Sequence, residues 1–427
     1  MRQDNYMKKI EPRSHINAKV SIPGSKSISH RALIAAALAK GESRLEAFLD
    51  CEDTQYTLKT LRELGVEISA KGESVSVLGT GGEFSPIHRK KEVFLGNSGT
   101  SYRLLLSVAA LGRGDYLFTG SPRMNSRPIG DLVMALNNLG VKASCVEKEG
   151  FPPVYIEARG IRGGRVKIPG TVSSQYLSSI LLAGPYAEES VEIEVMGKLV
   201  SRPYVDLTID VMSAFGIDVK HDEYHYFRLP EGEKYQSRGF TIEGDVSAAS
   251  YFWAAAAVTG GTVITDNIHP YSTRQGDIAF LDILEDMGCK IQRGDNGVTV
   301  RGGGLSGVEA DMGAMPDMVP TLAAVALFAE GKTIIKNVPH LHYKESDRIS
   351  DTALELKKLG GKIEELEDGL MIHGGGKLTG AEVDPHKDHR LAMCFAVAGL
   401  KIPGIRIKEE RCVDKSFPTF WELWAKL

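Results

Sequence analysis

Residues 31–48 read RALIAAALAKGESRLEAF: an apolar run of helical length, a Gly break, then a short strand-like segment. The same layout returns at RLLLSVAALGRGDYLFTG (103–120), YLSSILLAGPYAEESVEIEV (176–195), YFWAAAAVTGGTVITDNI (251–268), TLAAVALFAEGKTIIKNV (321–338) and RLAMCFAVAGLKIPGIRIKE (390–409). Successive starts are 72, 73, 75, 70 and 69 positions apart, a period of roughly 70 residues. A second element keeps the same beat. LKTLRELGVEIS, LVMALNNLGVKAS, VMSAFGIDVK, LDILEDMGCKIQ and LELKKLGGKIE each read as an amphipathic helix, a Gly (Gly65, Gly140, Gly216, Gly288, Gly360) and alternating strand residues. Two elements in phase along the chain predict six copies of a unit with two helices and several strands, an α/β fold of repeated modules. The glycines read as helix stops and belong to the scaffold.

The starts of the six apolar helices form a set: SKSISHR, NSGTSYR, TVSSQY, DVSAAS, MPDMVP and HKDHR. Most offer hydroxyl or amide residues suited to N-capping. PGSKSISHRAL (23–33) adds Lys26 and Arg31, although cations are mildly unfavourable at the positive end of a helix dipole. One reading is a Ser-capped surface helix with solvated charges. The other is an anion site in which backbone N–H groups, hydroxyls and cations act together. Convergence of several such helix starts would make a site suited to phosphates and carboxylates.

Composition narrows the chemistry. With 427 residues, 25% charged and 42% hydrophobic, the chain has room for two or three domains with proper cores. A net charge of -4 gives no basis for nucleic-acid or acidic-membrane binding, so anion recognition has to come from local cations. The five cysteines (Cys51, Cys145, Cys289, Cys394, Cys412) are scattered, with no C-x-x-C pair and no disulfide-like spacing. The polar start MRQDNYMKKIEPRSH has no apolar signal core, and no apolar stretch is long enough to span a bilayer; a cytoplasmic protein is expected.

Several motifs fail on inspection. EGKTI (330–334) lacks the first P-loop glycine, which would fall at Ala326. GGGLSG (302–307) reads as a β-turn because no long helix follows. HLH (340–342) and HKDH (386–389) are followed by basic residues, which works against a metal reading. No G-x-S-x-G elbow occurs. What remains is a set of cations in polar turns, Lys26, Arg31, Arg103, Arg127, Lys344, Arg348, Arg390 and Lys415, with two carboxylates, Asp317 and Glu345. Each carboxylate alone reads as a cap or a surface ion pair. Beside an anion site, the pair would suit acid–base chemistry at a neutral carbon or hydroxyl.

In this order, PGSKSISHRAL, LGNSGTSYRLL, PRMNSRPIGDLV, VSSQYLSSILLAGP, SRPYVDLTIDVM, EGDVSAASYFWAAAA, MPDMVPTLAAVALFA, KESDRISDTALELKKLG, DHRLAMCFAVAGL and DKSFPTFWEL resemble the enolpyruvyl transferase family, specifically its branch acting on shikimate 3-phosphate. The resemblance spans nearly the whole chain. It implies two similar globular domains of three β-α-β-α-β-β units each, residues 24–240 and residues 1–23 plus 241–427, with substrates in the interdomain cleft. It also implies transfer of the enolpyruvyl group of phosphoenolpyruvate to the 5-hydroxyl of shikimate 3-phosphate, a step of the shikimate pathway toward aromatic amino acids. No metal or organic cofactor is implied, and a monomer is expected.

By the match, Lys26, Ser27, Arg31, Ser173, Ser174, Gln175, Ser201, Asp317 and Lys344 would bind shikimate 3-phosphate, with Arg202 and Tyr204 alongside. Lys26, Gly99, Arg127, Gln175, Arg348, Arg390 and Lys415 would hold phosphoenolpyruvate, with Asn97 in the Gly99 turn. Asp317 would act as base, Glu345 as proton donor, and Lys26 would share the proton traffic. The sequence departs from the family pattern at His30, Leu104 and Asn125–Ser126, and at His340, where an Asn commonly helps hold the substrate phosphate. The sister reaction on UDP-N-acetylglucosamine would require a reactive loop cysteine, and none of the five lies in a polar Gly-rich loop. A non-catalytic anion-binding scaffold would not need both Asp317 and Glu345.

Overall fold

The computed structural model describes residues 7–427 and divides into two compact units, Gly24–Ile242 and the described part of Met1–Pro23 with Glu243–Leu427. In the unit Gly24–Ile242, three four-stranded sheets repeat one topology. Lys91–Phe94 runs parallel to Arg113–Thr119, which pairs antiparallel with Val154–Arg159, and Lys142–Cys145 closes the far edge antiparallel. The sheet of Gly164–Pro169, Val191–Met196, Tyr226–Leu229 and Lys220–Asp222 is built the same way. A parallel pair needs a crossover, and helices Gly99–Ala110 and Ser174–Ala183 supply it. Each repeat is therefore β-α-β-α-β-β.

The first repeat borrows its first strand. Lys40–Glu46 has Gly239–Thr241 as its parallel neighbour, with Phe240 opposite Leu45. Because of that pairing, and because the Ile242 amide donates to the Glu46 carbonyl, Thr241 and Ile242 lie in the first unit rather than opening the second. The other unit borrows in return: Asn17–Ser21 runs parallel to Thr262–Asp266. Both crossings carry a glycine pressed against backbone. A Cβ on Gly24 would lie 1.9 Å from the Ala47 carbonyl oxygen, and one on Gly244 would lie 2.1 Å from that of Asn267.

In the unit containing residues 243–427, the sheets of Thr262–Asp266 and Lys332–Lys336 keep the same order. The sixth repeat is abbreviated: Glu382–Val383 and Arg406–Ile407 pair in parallel, and the edge is taken by Lys8–Lys9. Helices Lys26–Leu38, Gly99–Ala110 and Ser174–Ala183 are buried on nearly every side, their polar residues mostly at the first turns, and form the core of one unit. Val246–Thr259, Val319–Ala326 and His389–Gly399 do the same in the other. Their small residues let the helices approach closely, and the few buried hydroxyls meet each other, as Ser107 and Ser179 do at 2.7 Å. Among the described residues, no helix is long and apolar enough to cross a membrane.

Candidate active site

The buried helices begin where the sequence places its polar residues, so their first turns carry the candidate groups. In the unit Gly24–Ile242, Lys26 opens the helix Lys26–Leu38. It is only 9% exposed, and its Nζ donates to Asp53 Oδ2 at 2.9 Å. One turn on, the buried Arg31 guanidinium donates to Thr208 Oγ1 (2.7 Å), the Ser27 carbonyl (2.9 Å) and the Tyr204 carbonyl (3.2 Å). Burial lowers its pKa to about 10.

The helix Gly99–Ala110 is capped by Ser98, whose Oγ accepts from the Ser101 amide. Arg127 lies directly over its first residue, since a Cβ on Gly99 would come within 2.7 Å of three guanidinium atoms. Arg127 Nη1 also donates to the Asn97 carbonyl at 3.3 Å. At the start of Ser174–Ala183, Ser173 Oγ accepts from the Gln175 amide. The Gln175 side chain accepts from Arg103 Nη1 (2.8 Å) and donates to Thr100 Oγ1 (3.0 Å), tying two helix starts together. A buried chain of hydroxyls does the same for the first two. His30 Nδ1 meets Thr57 Oγ1 at 2.8 Å, Thr57 donates to Ser101 Oγ at 2.9 Å, and Ser101 donates to the Asp53 carbonyl at 2.9 Å. Ser201 is buried in the left-handed region (φ 51°), a costly conformation for a serine. Arg202 stacks over Tyr224 at 5.0 Å.

The second cluster, in the unit containing residues 243–427, is far richer in carboxylates. Arg348, 1% exposed, begins the helix Arg348–Lys358. Its donors reach Asp388 Oδ2 (2.7 Å), Asp317 Oδ1 (2.7 Å) and Glu345 Oε2 (2.8 Å). The other Asp317 oxygen accepts from Arg390 Nη2 at 2.6 Å, and Arg390 Nη1 donates to Tyr251 Oη at 3.3 Å. Asp388 also caps the helix His389–Gly399 by accepting from the Arg390 amide at 2.9 Å. Burial pushes the Asp317 carboxyl up, but Arg390, Arg348 and Lys344 together hold it well below the usual carboxylate range. Burial likewise disfavours the Arg348 charge, and Asp388, Glu345 and Asp317 more than restore it. Lys415 is buried at the end of the turn Glu410–Lys415, which packs against the helix His389–Gly399.

His340 is 6% exposed, and neither ring nitrogen has a hydrogen-bond partner among the described residues. Burial, then the Lys344 charge, lowers its pKa to about 3 against the pull of Asp317, so the ring is neutral near pH 7. Such a buried ring offers one donor and one acceptor to whatever enters. Two other histidines of the HLH and HKDH motifs meet carboxylates: His342 with Asp347 (2.7 Å) and His386 with Glu355 (3.0 Å). Among the described residues, no group of three His, Cys, Asp or Glu side chains is placed to hold a metal ion.

Of the expected residues, Lys26, Ser27, Arg31, Gly99, Arg127, Ser173, Ser174, Gln175 and Ser201 lie in the first unit, and Asp317, Lys344, Glu345, Arg348, Arg390 and Lys415 in the second. Sequence reasoning missed Asp53, Thr208, Tyr251 and Asp388. Asp388 had a signal, since the DHR run that marks a helix cap also sets a carboxylate beside a cation. The five thiols give no activated nucleophile: burial raises the pKa of Cys51 and of Cys289 to about 11 and raises those of Cys145, Cys394 and Cys412 as well.

Comparison with known proteins gives a consistent result. The sequence profile of EPSP synthase (3-phosphoshikimate 1-carboxyvinyltransferase) matches residues 10–424. The 3-phosphoshikimate 1-carboxyvinyltransferase of Sulfurovum sp. (strain NBC37-1) is 45% identical over 419 residues, 97% of each chain. That of Syntrophobacter fumaroxidans is 46% identical over 422 residues, 98% of this chain and 99% of the relative. Among solved structures, EPSP synthase from Acinetobacter baumannii superposes with a TM-score of 0.79 at 31% identity, covering 97% of this chain and 96% of the other.

Proposed function

The chain belongs to the EPSP synthase family, and on that premise we propose that it transfers the enolpyruvyl group of phosphoenolpyruvate to the 5-hydroxyl of shikimate 3-phosphate, in the shikimate pathway. The observation that carries the reading is the Asp317 carboxylate held between Arg348 and Arg390. In this arrangement Asp317 is a weak base, because two guanidinium groups stabilise its charge. The carboxylate and phosphate of phosphoenolpyruvate compete for the same donors. As they draw on Arg348 and Arg390, Asp317 regains basicity when its substrate arrives.

Asp317 then takes the 5-hydroxyl proton, the oxygen attacks carbon 2, and Glu345 protonates carbon 3. In the second step Glu345 takes a proton back from carbon 3 as the carbon–oxygen bond to phosphate breaks, and the proton held by Asp317 leaves with inorganic phosphate. Arg127, Arg348, Arg390, Lys415 and Lys26 stabilise the charge that gathers on the departing group. Ser27, Arg31, Ser173, Ser174, Gln175, Ser201 and Lys344 orient shikimate 3-phosphate. The neutral His340 ring stands ready as a further partner for it.

Phosphate release from phosphoenolpyruvate, in metal-free buffer with either shikimate 3-phosphate or UDP-N-acetylglucosamine as acceptor, tests this reading. Release only with shikimate 3-phosphate is expected. Release only with the UDP-sugar overturns the acceptor while keeping the reaction class, and release with neither from folded protein overturns the enzymatic reading.

A further inference from the structure

A further carboxyl group that the mechanism does not use, Asp277, meets the helix Val246–Thr259 at Ser247, one turn before the Tyr251 to which Arg390 donates. Asp277 sits in the turn Gly276–Ala279 that leads into the helix Phe280–Asp286, and it is 4% exposed. Its Oδ2 accepts from the Ser247 hydroxyl. Its Oδ1 is buried with no hydrogen-bond partner among the described residues. Buried carboxyl oxygens are costly to leave unsatisfied, so the position calls for a reason.

Helix capping is not that reason. The helix Val246–Thr259, against which the turn packs, already has two of its first amides satisfied by other side chains. The Ala248 amide donates to Asp245 Oδ1 at 2.9 Å, and the Val246 amide donates to Gln275 Oε1 at 3.1 Å. Gln275 Nε2 also holds the Gly244 carbonyl at 2.8 Å, so the turn is anchored without Asp277. The charged groups that Asp277 senses are Asp317 from the turn Pro316–Met318, Arg390 from the helix His389–Gly399, and Asp245 from the cap of Val246–Thr259. Two of these three are the groups of the proposed base and its guanidinium partner.

We propose that Asp277 is a positioning residue for Arg390: neutral, it leaves the guanidinium to Asp317 and the incoming anionic substrate, and ionised, it draws on that same guanidinium. The proposal rests on the assignment of Arg390 to phosphoenolpyruvate. Its electrostatic setting fits. Burial, then the Asp317 charge, pushes the Asp277 carboxyl from 3.8 up to about 7, against the opposing effects of Arg390 and the Ser247 hydroxyl. The group therefore changes charge within the range in which an enzyme works.

The test compares the KM for phosphoenolpyruvate of wild type and Asp277→Asn, at saturating shikimate 3-phosphate, on either side of about pH 7. The substrate's own ionisation is common to both proteins and cancels in the ratio. Ionisation of Asp277 should raise the wild-type KM relative to the variant by about fivefold across that interval, the low end of ordinary coupling between sites. Ser247→Ala, a mild change, removes the hydroxyl that favours the ionised carboxyl and should move the midpoint to higher pH. Thermal melting supplies a substrate-free reading. With a folded pKa above its unfolded value, Asp277 contributes stability that is fully present below about 3.8 and lost as pH rises through about 7. The Tm of wild type should therefore fall relative to Asp277→Asn over that window. Parallel KM profiles for wild type and Asp277→Asn, or an unmoved midpoint in Ser247→Ala, would overturn the proposal and leave the proposed reaction standing. A wild-type protein that releases no phosphate with shikimate 3-phosphate would instead remove the reading on which the proposal rests, and the proposal with it.

Discussion

Lys26 apart, which pairs with Asp53, the candidate guanidinium groups of residues 24–242 and those of residues 243–427 are held in opposite ways. Arg31, Arg103 and Arg127 donate to hydroxyl, carbonyl and amide oxygens: Thr208, Ser27, Tyr204, Gln175 and Asn97. Arg348 and Arg390 are locked to Asp317, Glu345 and Asp388. Neutral partners orient a guanidinium toward an incoming anion. Carboxylate partners cancel the charge until a stronger competitor arrives, and their own basicity then changes with occupancy. The first arrangement suits recognition of a substrate that only has to be held. The second suits a site where substrate binding must also switch on a base.

The comparison can be broken where the largest effect is expected. Asp317→Ala removes the proposed base and leaves Arg348 and Arg390 each short of a carboxylate. Steady-state phosphate release should fall about a thousandfold, within the usual range for a general base, with the near-ultraviolet circular dichroism of a folded protein retained. Turnover within tenfold of wild type would show that the carboxylate-rich cluster is structural. Arg31→Ala probes the other half. Losing one charge-assisted anion contact of ~2 kcal/mol should weaken shikimate 3-phosphate about 30-fold by isothermal titration, and unchanged affinity would remove that half from substrate binding.

Gly99→Ala sharpens the comparison with a smaller effect. The added methyl would lie 2.7 Å from the Arg127 guanidinium, the movable end of a side chain, so ligand placement should suffer rather than the fold. The KM for phosphoenolpyruvate should rise roughly tenfold, as expected when a binding group is displaced by about an ångström. The Tm should move by less than about 3 °C. A large drop in Tm with an unchanged KM would mean that Gly99 serves packing alone.

Much of this organisation was legible in the chain. The recurrence near every 70 residues exposed the modules because an apolar helix, its Gly stop and an alternating strand are written locally. Lys26 and Arg31 stood out because cations at the polar start of an apolar helix conflict with the helix dipole unless something anionic is near, and Arg348 and Arg390 as cations in polar turns. Glu345 stood out as a carboxylate among the cations, and the structure pairs it with Arg348, three positions on. Asp388 was not, because 40 positions separate it from Arg348, and only the packing of two helices brings them together.

The sequence by itself determined the repeats, the buried helices and the placing of polar residues at their first turns, since each depends on neighbours a few residues away. Tertiary structure alone decided which oxygen each guanidinium meets, that Thr241 and Ile242 stay with the first unit, and that Asp277 and Arg390 meet the helix Val246–Thr259 one turn apart. Charges and strand edges find partners through space, and in this chain those partners lie tens to hundreds of residues apart.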